Sequence, residues 1–238
     1  MKRLLIFIAV LSVAACGGDK LDERTDTQIY AEAHAKLEKR DYAAAASGFE
    51  DVDKLHPASP WVADALVLAA YSYYMDDDYA GAIADIDRFL RFQPGHPYAA
   101  YMIYLKGLSY MAQASDAQRD ASMTQEALAA FNYLIERFPK SEYAENARNK
   151  VVILRNYLAG KLMFVARQDQ REKNWTSSIT RLNALTIAFY DTAMMPEALY
   201  RLAVAYSALG MRQQVAVHQE LLRVNYPDSE WLAASMKL

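Results

Sequence analysis

The residue with the most evident chemistry is Cys16, the only cysteine among 238 residues. With no second thiol in the chain, an internal disulfide is impossible. The four histidines, His34, His56, His96 and His218, are scattered, and no two stand at the i, i+4 spacing of a zinc-binding helix. Three carboxylates run together at Asp76-Asp77-Asp78. They directly precede a stretch that reads as a helix opening at Tyr79, so their expected use is to cap backbone N–H groups. Glycine-rich phosphate loops and nucleophile elbows are absent. Nor does any acidic residue stand out as the cleft acid that lytic chemistry requires. No catalytic residue and no metal ligand is assigned, and the expectation is a protein that is not an enzyme. A formal net charge of −3 also argues against a nucleic-acid partner, because neutralising phosphates takes clustered Lys and Arg.

The neighbours of Cys16 give it a role. Lys2 and Arg3 precede the apolar run Leu4–Val13, which only Ser12 interrupts. That run is too short to span a hydrocarbon core of roughly 30 Å and has the length of a signal-peptide core. Residues 1–15 therefore read as a signal peptide. The segment Val13-Ala14-Ala15-Cys16-Gly17 resembles the lipobox of bacterial lipoproteins. The resemblance implies cleavage before Cys16, with N-palmitoyl and S-diacylglycerol groups on that residue, and no other cofactor is expected. It also implies sorting. An Asp after the cysteine would retain the product in the inner membrane, whereas Gly17 fits passage to the outer membrane and a lipid-anchored position on its periplasmic face. Cleavage leaves 223 residues with a formal charge of −5. No second stretch reaches membrane-spanning length, so the lipid is the expected membrane anchor. Residues 16–27 read as a polar tether, reaching at most ~3.5 Å per residue.

From Gln28 onward the chain reads as all-α. Ala, Leu, Tyr and Met dominate, Gly and Pro are confined to apparent joints, and no period-two alternation persists. A frame recurs at an opening residue, then +3, +7, +10 and +15. It runs Tyr42, Ala45, Phe49, Val52, Pro57; then Tyr79, Ala82, Ile86, Phe89, Pro94; then Thr124, Ala127, Phe131, Leu134, Pro139. Weaker copies follow as Trp175, Ser178, Leu182, Leu185, Tyr190 and as Arg212, Val215, Gln219, Leu222, Pro227. Offsets +3, +7 and +10 share one helical face, and proline at +15 ends the helix because it lacks an N–H. Partner helices lie upstream, with large, small and aromatic residues at helical spacing, as in Leu199, Leu202, Ala203 and Tyr206.

These patterns resemble the tetratricopeptide repeat, and they imply a superhelix of about five helix pairs over 28–238. The repeats fall near 28–57, 61–94, 98–139, 142–190 and 196–227. Opening residues are separated by 37, 45, 51 and 37, against a usual period of 34. A polar loop at Gln113–Met123 accounts for the 45, and a long helix from about Tyr143 to Gln170 for the 51. Most of the 17 tyrosines fall at core positions, where an aromatic face with a wet hydroxyl suits a thin two-helix layer. Tyr71, Tyr73 and Tyr74 cannot all face one side, because adjacent helical residues diverge by roughly 100°.

A lipobox, a short tether and five such repeats resemble the BamD (ComL) family of outer-membrane lipoproteins. The segment Asp87–Met111 carries the resemblance furthest, with Arg-Phe, Pro-Gly-His-Pro, Tyr and Gly-Leu in order, and Ala129–Tyr143 fits too. The resemblance implies a non-enzymatic subunit of the β-barrel assembly (BAM) complex. Such a subunit docks on periplasmic domains of the barrel-forming (BamA-type) subunit, sits with other BAM lipoproteins, and receives unfolded outer-membrane proteins. The family docks through its C-terminal repeats, at an arginine shortly after a helix-opening Trp. Here those residues are Arg181 and Trp175, and a guanidinium suits a partner carboxylate. An N-terminal client groove is implied, with Trp61, Tyr71, Tyr74 and Arg88 as its candidate residues, aromatics plus a cation for an extended peptide. The alternative is a generic repeat scaffold of the envelope, serving pilus assembly or cell-division and cell-wall coordination.

Overall fold

The computed structural model describes residues 24–116 and 121–238. The expected signal peptide, Cys16 and most of the expected tether lie outside the described residues. Eleven helices and no strand occur among the described residues. They pair in chain order as α1 (Asp26–Glu38) with α2 (Tyr42–Leu55), α3 (Val62–Met75) with α4 (Tyr79–Phe92), and α5 (Ala99–Asp116) with α6 (Ser122–Arg137). Then come α7 (Glu142–Arg171) with α8 (Trp175–Ala188), α9 (Met195–Ala208) with α10 (Arg212–Asn225), and the short α11 (Glu230–Ser235). Each helix packs on its neighbours in sequence, which is the nearest-neighbour arrangement of a solenoid. Among the described residues no helix is long and apolar enough to cross a membrane.

Starts and stops follow from side-chain chemistry. Thr25 and Gln28 form a reciprocal capping box at α1. Asp78 accepts a hydrogen bond from the Gly81 N–H at 2.9 Å, so the third residue of the acidic run caps α4. Ser141 does the same for α7 through the Ala144 N–H at 3.1 Å. The residues that end the second helices, His56, Gln93, Phe138, Phe189 and Tyr226, share one exit conformation, with φ between −140° and −130° and ψ between 38° and 61°. Phe189 adopts it although no proline follows at Tyr190, so proline reinforces the exit without being required for it.

The recurring frame is the core. Phe49, Phe89 and Phe131 are fully buried, as are Ala45, Ala82 and Ala127 beneath them. In the fourth pair Ser178 occupies the small position and donates to the Ala166 carbonyl at 3.2 Å, so its hydroxyl is satisfied where alanine usually stands. Burying each large side chain contributes roughly 1.5–3 kcal/mol. Gly107 of α5 lies directly against the Phe131 ring.

Three differences from the expected organisation have physical causes. The helix α1 begins at Asp26, inside the expected tether, because Thr25 caps it and Asp26 accepts a 2.6 Å hydrogen bond from Ser59. The expected loop Gln113–Met123 is helical at both of its ends: α5 runs on to Asp116 and α6 opens at Ser122. Beyond the fifth pair, α11 is capped by Ser229 and sets Trp231 on Tyr200 at 5.2 Å. It covers the end of the array, as a solenoid's terminal repeat must.

The long helix α7 carries a built-in test of helix propensity. Gly160 lies mid-helix, and a Cβ there would meet nothing within 4 Å. Gly160→Ala is therefore expected to raise the unfolding free energy by about 1 kcal/mol, read from the urea midpoint of the 222 nm circular dichroism signal.

Candidate docking and client-binding surfaces

The four candidate client residues fall into three places. Trp61 precedes α3, is 38% exposed and stacks on Tyr30 of α1 at 5.0 Å. Tyr71 and Tyr74 lie on α3, half-buried, and Tyr74 packs on the core shared by α3, α4 and α5 with its ring 5.7 Å from Tyr79 of α4. Burial first, then the neighbouring Tyr71, Tyr143 and Tyr74, pushes the Tyr101 phenol above its ordinary range. Tyr101 and Tyr104 of α5 each lie 5.5 Å from Tyr143 of α7. A run of tyrosines therefore crosses α3, α5 and α7 on the first-helix side of the array. The sequence reading omits Tyr101, Tyr104 and Tyr143. The i, i+3 spacing of Tyr101 and Tyr104 within the Asp87–Met111 segment is the signal that points to them.

Arg88 does not join these tyrosines. It stands on α4, faces α2 and ion-pairs with Asp53. Together they border a groove of about 680 Å³ at the ends of α2, α3 and α4, with Pro57, Pro60, Phe92 and His96 on its rim. None of Trp61, Tyr71 or Tyr74 lines that groove. The expected single site of aromatics plus a cation is thus divided between two faces of the array, because Arg88 belongs to a second helix and the tyrosines to first helices.

The candidate docking residues lie together in the fourth pair. Trp175 opens α8, half-buried, with Asn174 before it. Arg181 is exposed, and its Nε donates to Asp169 Oδ2 on α7 at 2.8 Å. The Asp169 side chain is only 13% exposed, so the pair fixes the guanidinium's direction while leaving much of it open to solvent. Behind it α7 is clamped to the fifth pair. Glu197 on α9 is buried and accepts hydrogen bonds from Arg167 Nε at 2.7 Å and Arg201 Nε at 2.5 Å. Burial alone would raise its pKa, but the two guanidiniums outweigh that and hold it below the usual carboxylate value. Arg155 reaches the Ala188 carbonyl at 2.8 Å and Asp191 Oδ2 at 3.0 Å, and its hydrogen bond holds the Asp191 carboxyl low as well. The extra length of α7 is what carries Arg167 to Glu197.

Comparison with known proteins fits this architecture. A family described as "YfiO: Outer membrane lipoprotein" matches residues 22–222. A Caulobacter vibrioides protein named outer membrane protein assembly factor BamD is 32% identical over 97% of this chain and 78% of its own length. The chain belongs to the BamD family. A BamD protein of Rickettsia prowazekii is 31% identical over all of this chain and 97% of its own length. Among solved structures, a thermophilic tetratricopeptide-repeat protein of Thermus thermophilus shares 15% identity over 90% of this chain and the whole of that one, with a TM-score of 0.43. The BamD relatives extend across the long α7, the part in which this chain departs most from an evenly spaced repeat array.

Proposed function

We propose that this chain is a non-enzymatic lipoprotein subunit of the outer-membrane β-barrel assembly complex, held by lipid on Cys16 at the periplasmic face of the outer membrane. Its partners are the barrel-forming (BamA-type) subunit, other lipoproteins of the complex, and unfolded outer-membrane proteins. The observation that carries the reading is membership of the BamD family along nearly the whole chain. A generic pilus or cell-wall scaffold is not favoured, because the match is to assembly factors and not to repeats alone.

In this reading the fourth and fifth pairs form the docking module. Arg181 offers an exposed, pre-oriented guanidinium, and Trp175 stands half-buried at the start of the same helix. Arg181→Glu reverses the charge at the contact and also sets a second carboxylate beside Asp169. Asp169→Asn keeps the Arg181 charge and loosens only its orientation. We expect Arg181→Glu to reduce co-purification with the barrel-forming subunit at least tenfold, and Asp169→Asn to reduce it far less. Equal recovery with Arg181→Glu, at unchanged helical content, contradicts the assignment.

Clients are received on the first-helix side, where Tyr71 and Tyr74 meet the further tyrosines of α5 and α7, while Trp61 stands apart on Tyr30. A row of rings with wet hydroxyls suits an extended segment rich in aromatic side chains. Photocrosslinkers at Tyr71 and Tyr74 are expected to label a nascent porin more strongly than one at Tyr133, an exposed position on the second-helix side. Arg88 is the weakest of the candidates, given its pairing with Asp53, and equal labelling from Tyr71 and Tyr133 removes the tyrosines too.

A further inference from the structure

The array has two edges. One carries the turns within each helix pair, the other the loops between pairs. The chain enters α1 on the second edge, beside the loop from α2 to α3. Two contacts fix the entry: the His56 Nε2 lies 2.9 Å from the Arg24 carbonyl oxygen, and Ser59 donates to Asp26 at 2.6 Å.

That edge has an unusual composition at this end of the array. The loops at 55–61 and 92–98 contain no Asp, Glu, Lys or Arg, in a chain where 23% of residues are charged. The opposite edge reads Glu38-Lys39-Arg40-Asp41, Asp76-Asp77-Asp78 and Arg171-Glu172-Lys173, and is uncharged at Leu209-Gly210-Met211 in the fifth pair. Farther along, the between-pair loops carry charge again, at Lys140, Asp191 and Asp228. Beside these two charge-free loops large apolar side chains stand in solvent, as they also do farther along at Ile187 and Tyr190. Phe92 is 72% exposed, Leu55 and Tyr98 44%, and Trp61 38%. Pro57 and Pro94, in the same two loops, are exposed as well. Clustered exposed apolar residues on a folded protein mark a surface that meets something.

We propose that this edge of the first two repeats rests on the phospholipid surface of the membrane that holds the lipid anchor. The inference rests on Cys16 being acylated, as above. Cys16 and Arg24 are eight residues apart, so the chain between them spans at most about 28 Å when fully extended, and Arg24 is bound to this edge. The lipid therefore keeps this edge of the first repeat within about 28 Å of the bilayer. Tyr and Trp favour the boundary between headgroups and acyl chains, where a ring is buried and its polar atom stays wet. Loops without formal charge avoid the desolvation cost that Asp, Glu, Lys or Arg would bring there. The tyrosine run and Arg181 stay clear of the membrane, on the side and in the repeats where partners approach.

The three tryptophans serve as reporters, because Trp61 is on this edge, Trp175 on the opposite edge, and Trp231 at the far end of the array. Full-length acylated protein is placed in vesicles of phosphatidylethanolamine and phosphatidylglycerol containing a lipid spin-labelled in the headgroup region. One variant keeps only Trp61 (W175F, W231F) and a second keeps only Trp175 (W61F, W231F). Several-fold stronger quenching of Trp61 than of Trp175 is expected. Adding Phe92→Glu to the Trp61 variant should reduce that quenching while the protein still floats with the vesicles. Equal or absent quenching of both tryptophans in floating protein overturns the proposal and leaves the anchor in place. Failure of the acylated wild type to float overturns the anchor reading itself, and the proposed membrane face with it.

Discussion

Gly107→Ala is expected to destabilise the array, the reverse of what helix propensity dictates. Alanine at a mid-helix glycine ordinarily contributes about 1 kcal/mol. Here a Cβ would stand 2.6 Å from Phe131 Cζ and closer still to Cε1. The ring is not the free end of a flexible chain. It is fully buried in the α5–α7 cluster among Ala127, Leu134 and Ala144, with Tyr104 at 5.8 Å. Overpacking of this kind costs about 1–3 kcal/mol, and Gly107→Val should exceed Gly107→Ala. The urea midpoint is the readout. Phe131→Leu in the Gly107→Ala background should recover part of the loss, since the two changes share one contact. The pair Gly107→Ala and Gly160→Ala makes the same chemical change on two helices with opposite expected signs. Stabilisation at Gly107 would mean that the α5–α6 crossing is looser than described.

Asp85→Asn has the second large effect, and its sign depends on pH. Asp85 lies on α4, 4% exposed, with Oδ2 buried and without a hydrogen-bond partner. Burial, then the charge of Glu50, pushes its pKa from the ordinary 3.8 up to about 7. Arg88 and Lys54 pull the other way, and Asp53 adds a smaller push. Tyr73 of α3 faces the same cluster, with its own phenol raised to about 12 by burial and by Glu50. Between about pH 4 and 7 the unfolded chain has lost this proton and the folded one still holds it. The unfolded state thus binds fewer protons, and stability falls as pH rises through that window, then levels off above it. At pH 8 the wild type should therefore be less stable than at pH 5 on account of this group. Asp85→Asn removes the charge and keeps the shape. It should stabilise by about 2 kcal/mol at pH 8, roughly half of what the full shift corresponds to at 1.36 kcal/mol per unit, and by little at pH 5. Loss of stability at both pH values would mean that the carboxylate is needed as an ion in the α2–α4 interface.

The two predictions also mark what was legible in the sequence. The all-α class and the helix pairs follow from single-helix rules: apolar residues at +3, +7 and +10, an acid before Tyr79, proline after the exit. Those rules tolerate Ser178 and Tyr190, because the serine finds a carbonyl and the exit conformation does not need proline. What depends on contacts between helices was not legible. Asp85 sits at +6 in its frame and reads as a solvent position until α2 is packed over it. Arg181 reads as an unencumbered cation until α7 brings Asp169 to 2.8 Å. Tyr71 and Tyr74 point to an aromatic surface, but the share of Tyr101, Tyr104 and Tyr143 in it depends on how three first helices line up. Arg88 suits an aromatic groove as its cation, but the α3–α4 turn places it on the other face, against Asp53 of α2. The extension of α5 and the closing helix α11 have no frame residue to announce them.

A docking scaffold within the barrel-assembly machinery must leave the envelope together with its partner. The most direct measurement is affinity purification of the full-length, acylated chain, tagged at its C-terminus, from detergent-solubilised envelopes of its own host, followed by quantitative mass spectrometry. Recovery of the barrel-forming subunit in near-equal amount with the tagged chain, and its loss with Arg181→Glu, is the predicted result. Recovery of pilus or cell-wall machinery without the barrel-forming subunit would contradict the account.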